Sequence, residues 1–442
     1  MRIAVIGAGW AGLAAAVAAT EAGHQVTVLE AARTLGGRAR ALDFRSVPGA
    51  ASDMPLRLDN GQHILIGAYT ACLGLMQKLG VSLEQAFVRT PLALVFPDGS
   101  GLRMPDAPPP WDAAWGIATA QGWSLGERLA LLRTAARWRL QGFQCAEHLT
   151  VGDLCAPLPQ TLVDGFIDPL CVSALNTPAR SASAQVFLRV LHDSLFAGRG
   201  GSHLLIPRTD LSALLPDAAE RWLVQRGATV RRGARVQQLA PLGEGWLVDG
   251  EAFDQAVLAA PATEAARLVQ TALPYLTTAT HSAAATWRQK AAALQFTAIA
   301  TVYAQVPAPP TATGPTLRRP MQALWPGADG PAQFAFDRGQ LGGPPGLLAL
   351  VVSAAEGDRQ ALEAAAVHQA RKQLNLPALH PLTTVVEKRA TFACTPGLQR
   401  PAPTIAPGLQ ACGDYVDGPY PATLEGAVRS ANDLFPGLSD QR

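Results

Sequence analysis

The sequence predicts an α/β protein, with a parallel sheet assembled from separated pieces of the chain and α+β segments interleaved between them. Three observations carry this expectation. The first thirty residues alternate strand, helix and strand. A helix followed by short strands stands near residue 220. A strand leading into a helix closes the chain near residue 423. Between these pieces the pattern turns mainly helical, or mixed.

In chain order, Arg2–Ile6 is a short β-branched run, and the alanine-rich stretch 11–22 reads as a helix that Gly23 stops. Residues 25–29 (QVTVL) form the second strand. Residues 71–204 are mainly helical in pattern and hold four of the nine tryptophans, Trp111, Trp115, Trp123 and Trp138. Pro216–Gln225 reads as a helix with its proline in the first turn and Gly227 as its stop. Short strands are expected at 228–230, 235–239, 246–248 and 255–258, and Pro261 then breaks the chain. Residues 266–384 mix helix, strand and turn. Within them 294–306 and 347–353 are rich in strand formers, and Pro307, Pro309 and Pro310 mark a turn. This pattern divides the chain into a discontinuous nucleotide-binding part (1–70, 205–265 and 385–442) and a second part (71–204 and 266–384).

Composition sets the outer limits. A chain of 442 residues with 48% hydrophobic and 16% charged residues is globular and holds two or three domains. A net charge of +2 (36 − 34) is too balanced for nucleic-acid binding driven by bulk charge. Cysteines 72, 145, 155, 171, 394 and 412 form no CxxC pair, so neither a metal centre nor a disulfide framework is expected, and a reducing, cytoplasmic setting fits. The apolar N-terminus superficially resembles a signal peptide, but its glycines recur at fixed offsets and a second strand follows. No stretch offers the 18 or so apolar residues of a membrane span. Only four lysines accompany 32 arginines, which reads as genomic composition. No GxSxG elbow supports hydrolase chemistry.

Gly7-Ala8-Gly9-Trp10-Ala11-Gly12 follows a strand and opens a helix, and Glu30 ends the next strand. Gly7 permits the tight turn, Gly9 lets the backbone approach a pyrophosphate, and Gly12 lets helix and strand pack closely. Trp10 and Ala11 open the helix, whose free N–H groups and positive dipole end suit phosphate. Glu30 is placed to accept from ribose hydroxyls, and its charge disfavours a 2′-phosphate. Gly36-Gly37-Arg38 comes next.

A GxGxxG, a glutamate and then a GGR resemble the opening of the FAD-dependent amine oxidase and carotenoid desaturase superfamily. The resemblance implies a Rossmann-type FAD-binding domain interleaved with an α+β substrate domain, and non-covalent FAD as cofactor. By it, Arg38 lies near the diphosphate with Gly37 passing close, and Val236 meets the adenine through its backbone. Residues 257–261 form a second crossing beside the nucleotide. Gly413 and Asp414 hold the ribityl–phosphate portion, and the helix opening at Thr423 and Leu424 points at the flavin's pyrimidine side. Gly61 lies under the ring. Cys412 is not expected to bind flavin covalently, since the surrounding motif differs.

Four segments, DNGQHILIGAY, FIDPLCVSALNTPARSASAQVFLRVL, GGSHLLIPRTDLSALLPDAA and GDYVDGPYPATLEGAVRSA, resemble the hydroxysqualene dehydroxylases. That implies reduction of a C30 polyprenyl alcohol, hydroxysqualene, to squalene in squalene and hopanoid synthesis, with an unspecified electron donor for FAD. His63 and Tyr420 are the proton-donor candidates, with His63 alternatively a hydrogen-bonded loop histidine. Asp59 reads as a turn residue serving backbone N–H groups. Asp168, Cys171, Asn176 and Arg180 either line a tunnel mouth or cap helices. Residues 111–140 carry four tryptophans and several arginines, which fit a peripheral membrane contact or an ordinary helix pair with its apolar side inward. Two other readings stand beside the dehydroxylase. One is a desaturase or amine oxidase running in the opposite redox direction, for which Lys290 is the lysine to consider. The other is a non-catalytic flavoprotein that carries squalene.

Overall fold

The structure, a computed structural model, describes residues 1–44, 56–196, 198–307 and 314–436; Pro309 and Pro310 lie outside them. From the N-terminus the chain forms β1 (Arg2–Ile6), α1 (Trp10–Glu21) and β2 (Gln25–Glu30). The next part supplies α2 (Thr70–Lys78), α3 (Trp111–Ala118), α4 (Leu125–Leu140) and α5 (Asp168–Leu175). It also holds short strands at Phe87–Thr90, Ala93–Val95 and Gly101–Arg103. Then come α6 (Pro216–Gln225), β3 (Thr229–Arg232) and β4 (Gln255–Leu258). The mixed segment gives α7 (Thr278–Ala293), β5 (Phe296–Gln305), β6 (Met321–Ala323), β7 (Phe334–Asp337), β8 (Leu347–Ala355) and β9 (His380–Phe392). The chain closes with β10 (Thr404–Ala406), β11 (Leu409–Ala411) and α8 (Leu424–Asn432).

Six strands form the first sheet in the order β3-β2-β1-β4-β11-β10, parallel except where β10 pairs with β11. β1 runs at its centre. Ile3, Ala4, Val5 and Ile6 are all buried, as an apolar strand covered on both faces must be. The alanines of α1 let that helix lie close to the sheet, where it packs between α6 and α8. Gly9 stands at the N-cap of α1 and offers no side-chain cap, so the first N–H groups of the helix stay open for a ligand.

The second sheet is antiparallel, in the order β6-β7-β8-β5-β9. A bulge bends β5 between Ala298 and Ile299. Strand β9 runs through residue 385 without a break, pairing with β5 from His380 to Phe392.

One expected strand is replaced by open chain. Residues 235–238 have no strand partner, and the strand begins at Leu239. Side chains satisfy this backbone instead. The Asp249 carboxylate accepts from the N–H groups of Gln237 and Gln238, both at 2.9 Å. Arg267 donates to the carbonyls of Val236 (2.7 Å) and Gln237 (2.9 Å). Among the described residues no helix is long and apolar enough to cross a membrane.

Candidate active site

A cavity of about 710 Å³ is lined from both sheets. One end gathers Gly7, Gly9, Trp10, Ala11, Glu30, Gly37, Arg38 and Val236. Gly413, Asp414, Thr423 and Leu424 join them from the C-terminal segment, and Gly61 and His63 from the loop after Leu56–Asp59. The other end is apolar, with Phe296, Ile299, Phe334, Phe336 and Val351. Gly12 does not face the cavity. It lies beneath, where a Cβ would collide with the Gly7 carbonyl oxygen and stand 3.0 Å from the Ala259 Cβ.

The glycine-rich turn is held in a form that only these residues allow. Gly7 sits at φ +110°, which a side chain would strain, and its N–H donates to the Leu29 carbonyl at 2.8 Å. Gly9 has an ordinary extended backbone, φ −72° and ψ −179°. A Cβ on Gly9 would meet no protein atom nearer than the Gly37 Cα at 4.0 Å, so it would project into open space. That space is what a pyrophosphate needs. The Glu30 carboxylate is fixed beside it by the N–H groups of Ala8 (2.7 Å) and Ala32 (2.8 Å). A flavin dinucleotide therefore fits the residues present.

Arg38 reaches across the site. Its guanidinium donates to Asp414 at 2.5 Å and to the Ala390 carbonyl on β9 at 2.8 Å. It thereby ties the N-terminal turn, the C-terminal segment and the second sheet together. Thr423 caps α8, its Oγ1 accepting from the Gly426 N–H at 2.9 Å. The N-terminus of α8 thus opens on the cavity.

His63 lies half-buried, with Nδ1–H donating to the Gly61 carbonyl at 2.8 Å. Burial and the nearby Arg38 charge pull its pKa below the ordinary histidine value, against the Gly61 carbonyl, which raises it. Tyr420 is not brought to the cavity. Its ring lies 5.9 Å from the Arg189 guanidinium and 5.0 Å from that of Arg429, and burial and the Asp193 carboxylate raise its pKa. Asp59 ends a short strand, Leu56–Asp59, and is not a turn residue: the amide it serves is distant, the Leu211 N–H at 2.8 Å.

Asp59 also supplies a pH signature. It is buried, and burial pushes its carboxyl up to about 6, against the Leu211 N–H and Arg338, which lower it. The folded state thus binds this proton more tightly than the unfolded chain. The stability deficit is full above about pH 6 and is relieved as pH falls toward 4. Asp59→Asn keeps the acceptor for Leu211 and removes the charge. It is expected to gain up to about 3 kcal/mol at pH 7.5 and only about 0.6 kcal/mol at pH 4. Denaturant titrations at the two pH values check this, and an equal gain at both would refute the assignment.

Two positioning residues escaped the sequence reading, and a third, Asn176, had no settled role in it. Asn60 is buried and laces its loop to the arginine segment: Nδ2 donates to the Arg38 carbonyl at 2.9 Å and Oδ1 accepts from the Arg40 N–H at 3.0 Å. Glu425 is fully buried and accepts from the N–H groups of Ala71 and Cys72, both at 3.0 Å, so it caps α2 from α8. Asn176 lines the cavity in the left-handed region, φ +46°. Its amide donates to Thr297 and Thr391 (2.9 and 3.0 Å) and accepts from the Ala354 N–H (2.6 Å), clipping three strand ends together. Asp168 accepts from the Ala179 N–H at 2.8 Å, Cys171 is core, and Arg180 is exposed; none of the three lines the cavity.

The fold and cavity define a flavin-binding oxidoreductase, and comparison with known proteins agrees. The chain belongs to the flavin containing amine oxidoreductase family, which it matches over residues 10–433. It is similar to hydroxysqualene dehydroxylases of Rhodopseudomonas palustris, at 30% identity over 97% of this chain and 96% of the relative. The likeness extends to that of Sinorhizobium fredii, at 27% identity over 98% and 96%. In three dimensions it resembles an oxidoreductase from Methanosarcina mazei, with a TM-score of 0.71 and 16% identity, covering 99% of this chain and all of that one. The protein is a flavoenzyme of the α/β class.

Proposed function

We propose that the chain is an FAD-dependent hydroxysqualene dehydroxylase, which removes the allylic hydroxyl of hydroxysqualene and releases squalene for squalene and hopanoid synthesis. The observation that carries this reading is a cavity lined both by the glycine-rich turn, Glu30 and Arg38 and by aromatic and aliphatic side chains, on a chain similar over nearly its whole length to enzymes of that name. When bound and reduced, FAD supplies the hydride.

The chain's own residues do the rest. Glu30, already oriented by two backbone amides, would take the adenosine ribose, and Val236, which lines the cavity, would lie against the adenine. The first-turn amides of α1 and the Arg38 guanidinium, which is held by Asp414 and the Ala390 carbonyl, would hold the diphosphate. The open end of α8 stabilises negative charge on the ring. Phe334, Phe336 and Val351 exclude water from the reacting carbon, where it would otherwise capture an allylic cation and, losing a proton, regenerate the alcohol. His63 holds the proton for the departing oxygen. Binding is non-covalent: Cys412 is buried in the core away from the cavity, and burial pushes its thiol up to about 12.

The amine oxidase reading loses its residue, because Lys290 lies on α7 and does not line the cavity. Residues 1–70, 205–265 and 385–442 form the FAD part, with the others holding substrate. The enzyme works in the cytoplasm, takes electrons from an external donor and meets its C30 substrate at the membrane. Anaerobic mixing of the reduced holoprotein with hydroxysqualene tests the reaction. Squalene should form with one flavin reoxidised per product. Reoxidation failing with hydroxysqualene would sink the reading, and no spectral change with any isoprenoid would favour the carrier.

A further inference from the structure

Helix α4 has two apolar faces. Leu131 and Trp138 point into the core, where Ile117 of α3 joins them. On the opposite side Leu125, Leu129 and Leu140 are 82%, 48% and 89% exposed. At 3.6 residues per turn these three and Ala136 fall within roughly 60° of the helix circumference. Arg133 and Arg137 border that stripe on one side, and Arg128 and Arg139 on the other. The helix's sole acid, Glu127, is turned away and engaged by Ser124 and Thr161 in the N-terminal cap.

Helix α3, packed against α4, carries further exposed apolar side chains. Trp111 and Trp115 stand one turn apart and are 71% and 64% exposed, while Ile117 between α3 and the core is buried. Arg128 joins the two helices by donating to the Ala118 carbonyl at 3.0 Å. Five of the ten exposed large apolar side chains among the described residues lie on this one helix pair. The core contacts of the pair are made by the inward side chains Ile117, Leu131 and Trp138. Among the described residues nothing covers the outward tryptophans and leucines.

We propose that this face docks on the surface of an anionic lipid bilayer. Exposed tryptophans beside leucines suit the headgroup boundary, and arginines flanking an apolar stripe suit lipid phosphates. The absence of an acid on the outward face of α4 gives the charge complementarity, and an acidic bilayer satisfies both chemistries at once. The surface carries this inference by itself. It deepens the proposed function only in naming where the apolar substrate is met, and either can fail without the other.

The test uses the holoprotein with vesicles of phosphatidylcholine alone or mixed with phosphatidylglycerol. The parent should co-sediment with the mixed vesicles and far less with the neutral ones, and added salt should weaken it. Trp111→Ser with Trp115→Ser should weaken vesicle binding about tenfold or more while thermal midpoint and flavin content hold. Arg133→Gln with Arg137→Gln should weaken binding to the anionic vesicles roughly fivefold per arginine and leave neutral vesicles unaffected. No binding by the parent, equal binding by the tryptophan variant, or loss of its thermal stability would each overturn the proposal. So would a parent dimer that the tryptophan variant converts to monomer with no vesicle binding in either, since the face would then be a self-interface. Turnover of detergent-dispersed hydroxysqualene, equal in parent and variant, separates docking from chemistry.

Discussion

Gly9→Val is expected to give a folded protein that carries no flavin, with affinity for FAD lowered more than 100-fold, a loss of roughly 3 kcal/mol or more. The reason is geometric. Gly9 has a backbone any residue adopts, and a Cβ there meets no protein atom nearer than 4.0 Å. The isopropyl group would occupy only the space over the open N-terminus of α1. Apo stability should fall by no more than about 1 kcal/mol, the usual cost of a poor N-cap residue. Gly12→Val provides the contrast. Its Cβ would strike the Gly7 carbonyl and crowd Ala259, so that variant should lose stability as well as flavin. Equilibrium dialysis against FAD, with thermal unfolding of the apoproteins, reads both. A Gly9→Val protein that purifies yellow with parental affinity would place the pyrophosphate elsewhere.

What was legible in the sequence was what short-range chemistry dictates. The turn from Gly7 to Gly12 and the acid at Glu30 could be read because their spacing within one strand–helix–strand unit is itself a pattern, though Gly12 also meets the distant Ala259. The bounds of Pro216–Gln225 were legible for the same reason, a proline that starts a helix and a glycine beyond its end. Residues 235–238 misled because Asp249 and Arg267, distant in sequence, took over their backbone. Glu425 and Asn60 were silent because their partners lie far away or on a neighbouring segment whose approach no local pattern encodes. Tyr420 looked well placed beside the helix that opens on the flavin, yet two arginines and Asp193 draw its ring away. The two apolar faces of α4 were visible as composition, but which face is covered is decided by the packing of Leu131 and Trp138.

His63→Ala is expected to slow single-turnover dehydroxylation about 10²–10⁴-fold, the usual worth of a positioned general acid. Flavin content should not change, because His63 meets its own loop through Gly61 and leaves the Arg38–Asp414 pair intact. The pH profile gives an independent sign. A donor must start protonated, so the parental rate should fall as pH rises through the His63 pKa. Burial and Arg38 hold that pKa below the ordinary histidine value, so the fall should begin on the acid side of it, and His63→Ala should lose this limb altogether. Tyr420→Phe should stay within a few-fold of the parent, since its ring is packed among Arg189, Arg429 and Asp193 and not against the cavity. Rapid quench of hydroxysqualene consumption by the reduced holoprotein measures all three. If His63→Ala costs only a few-fold and keeps the parental profile, His63 shapes the loop and a bound water delivers the proton. A large loss in Tyr420→Phe with His63→Ala unaffected would instead require the 420 segment to swing into the cavity during turnover.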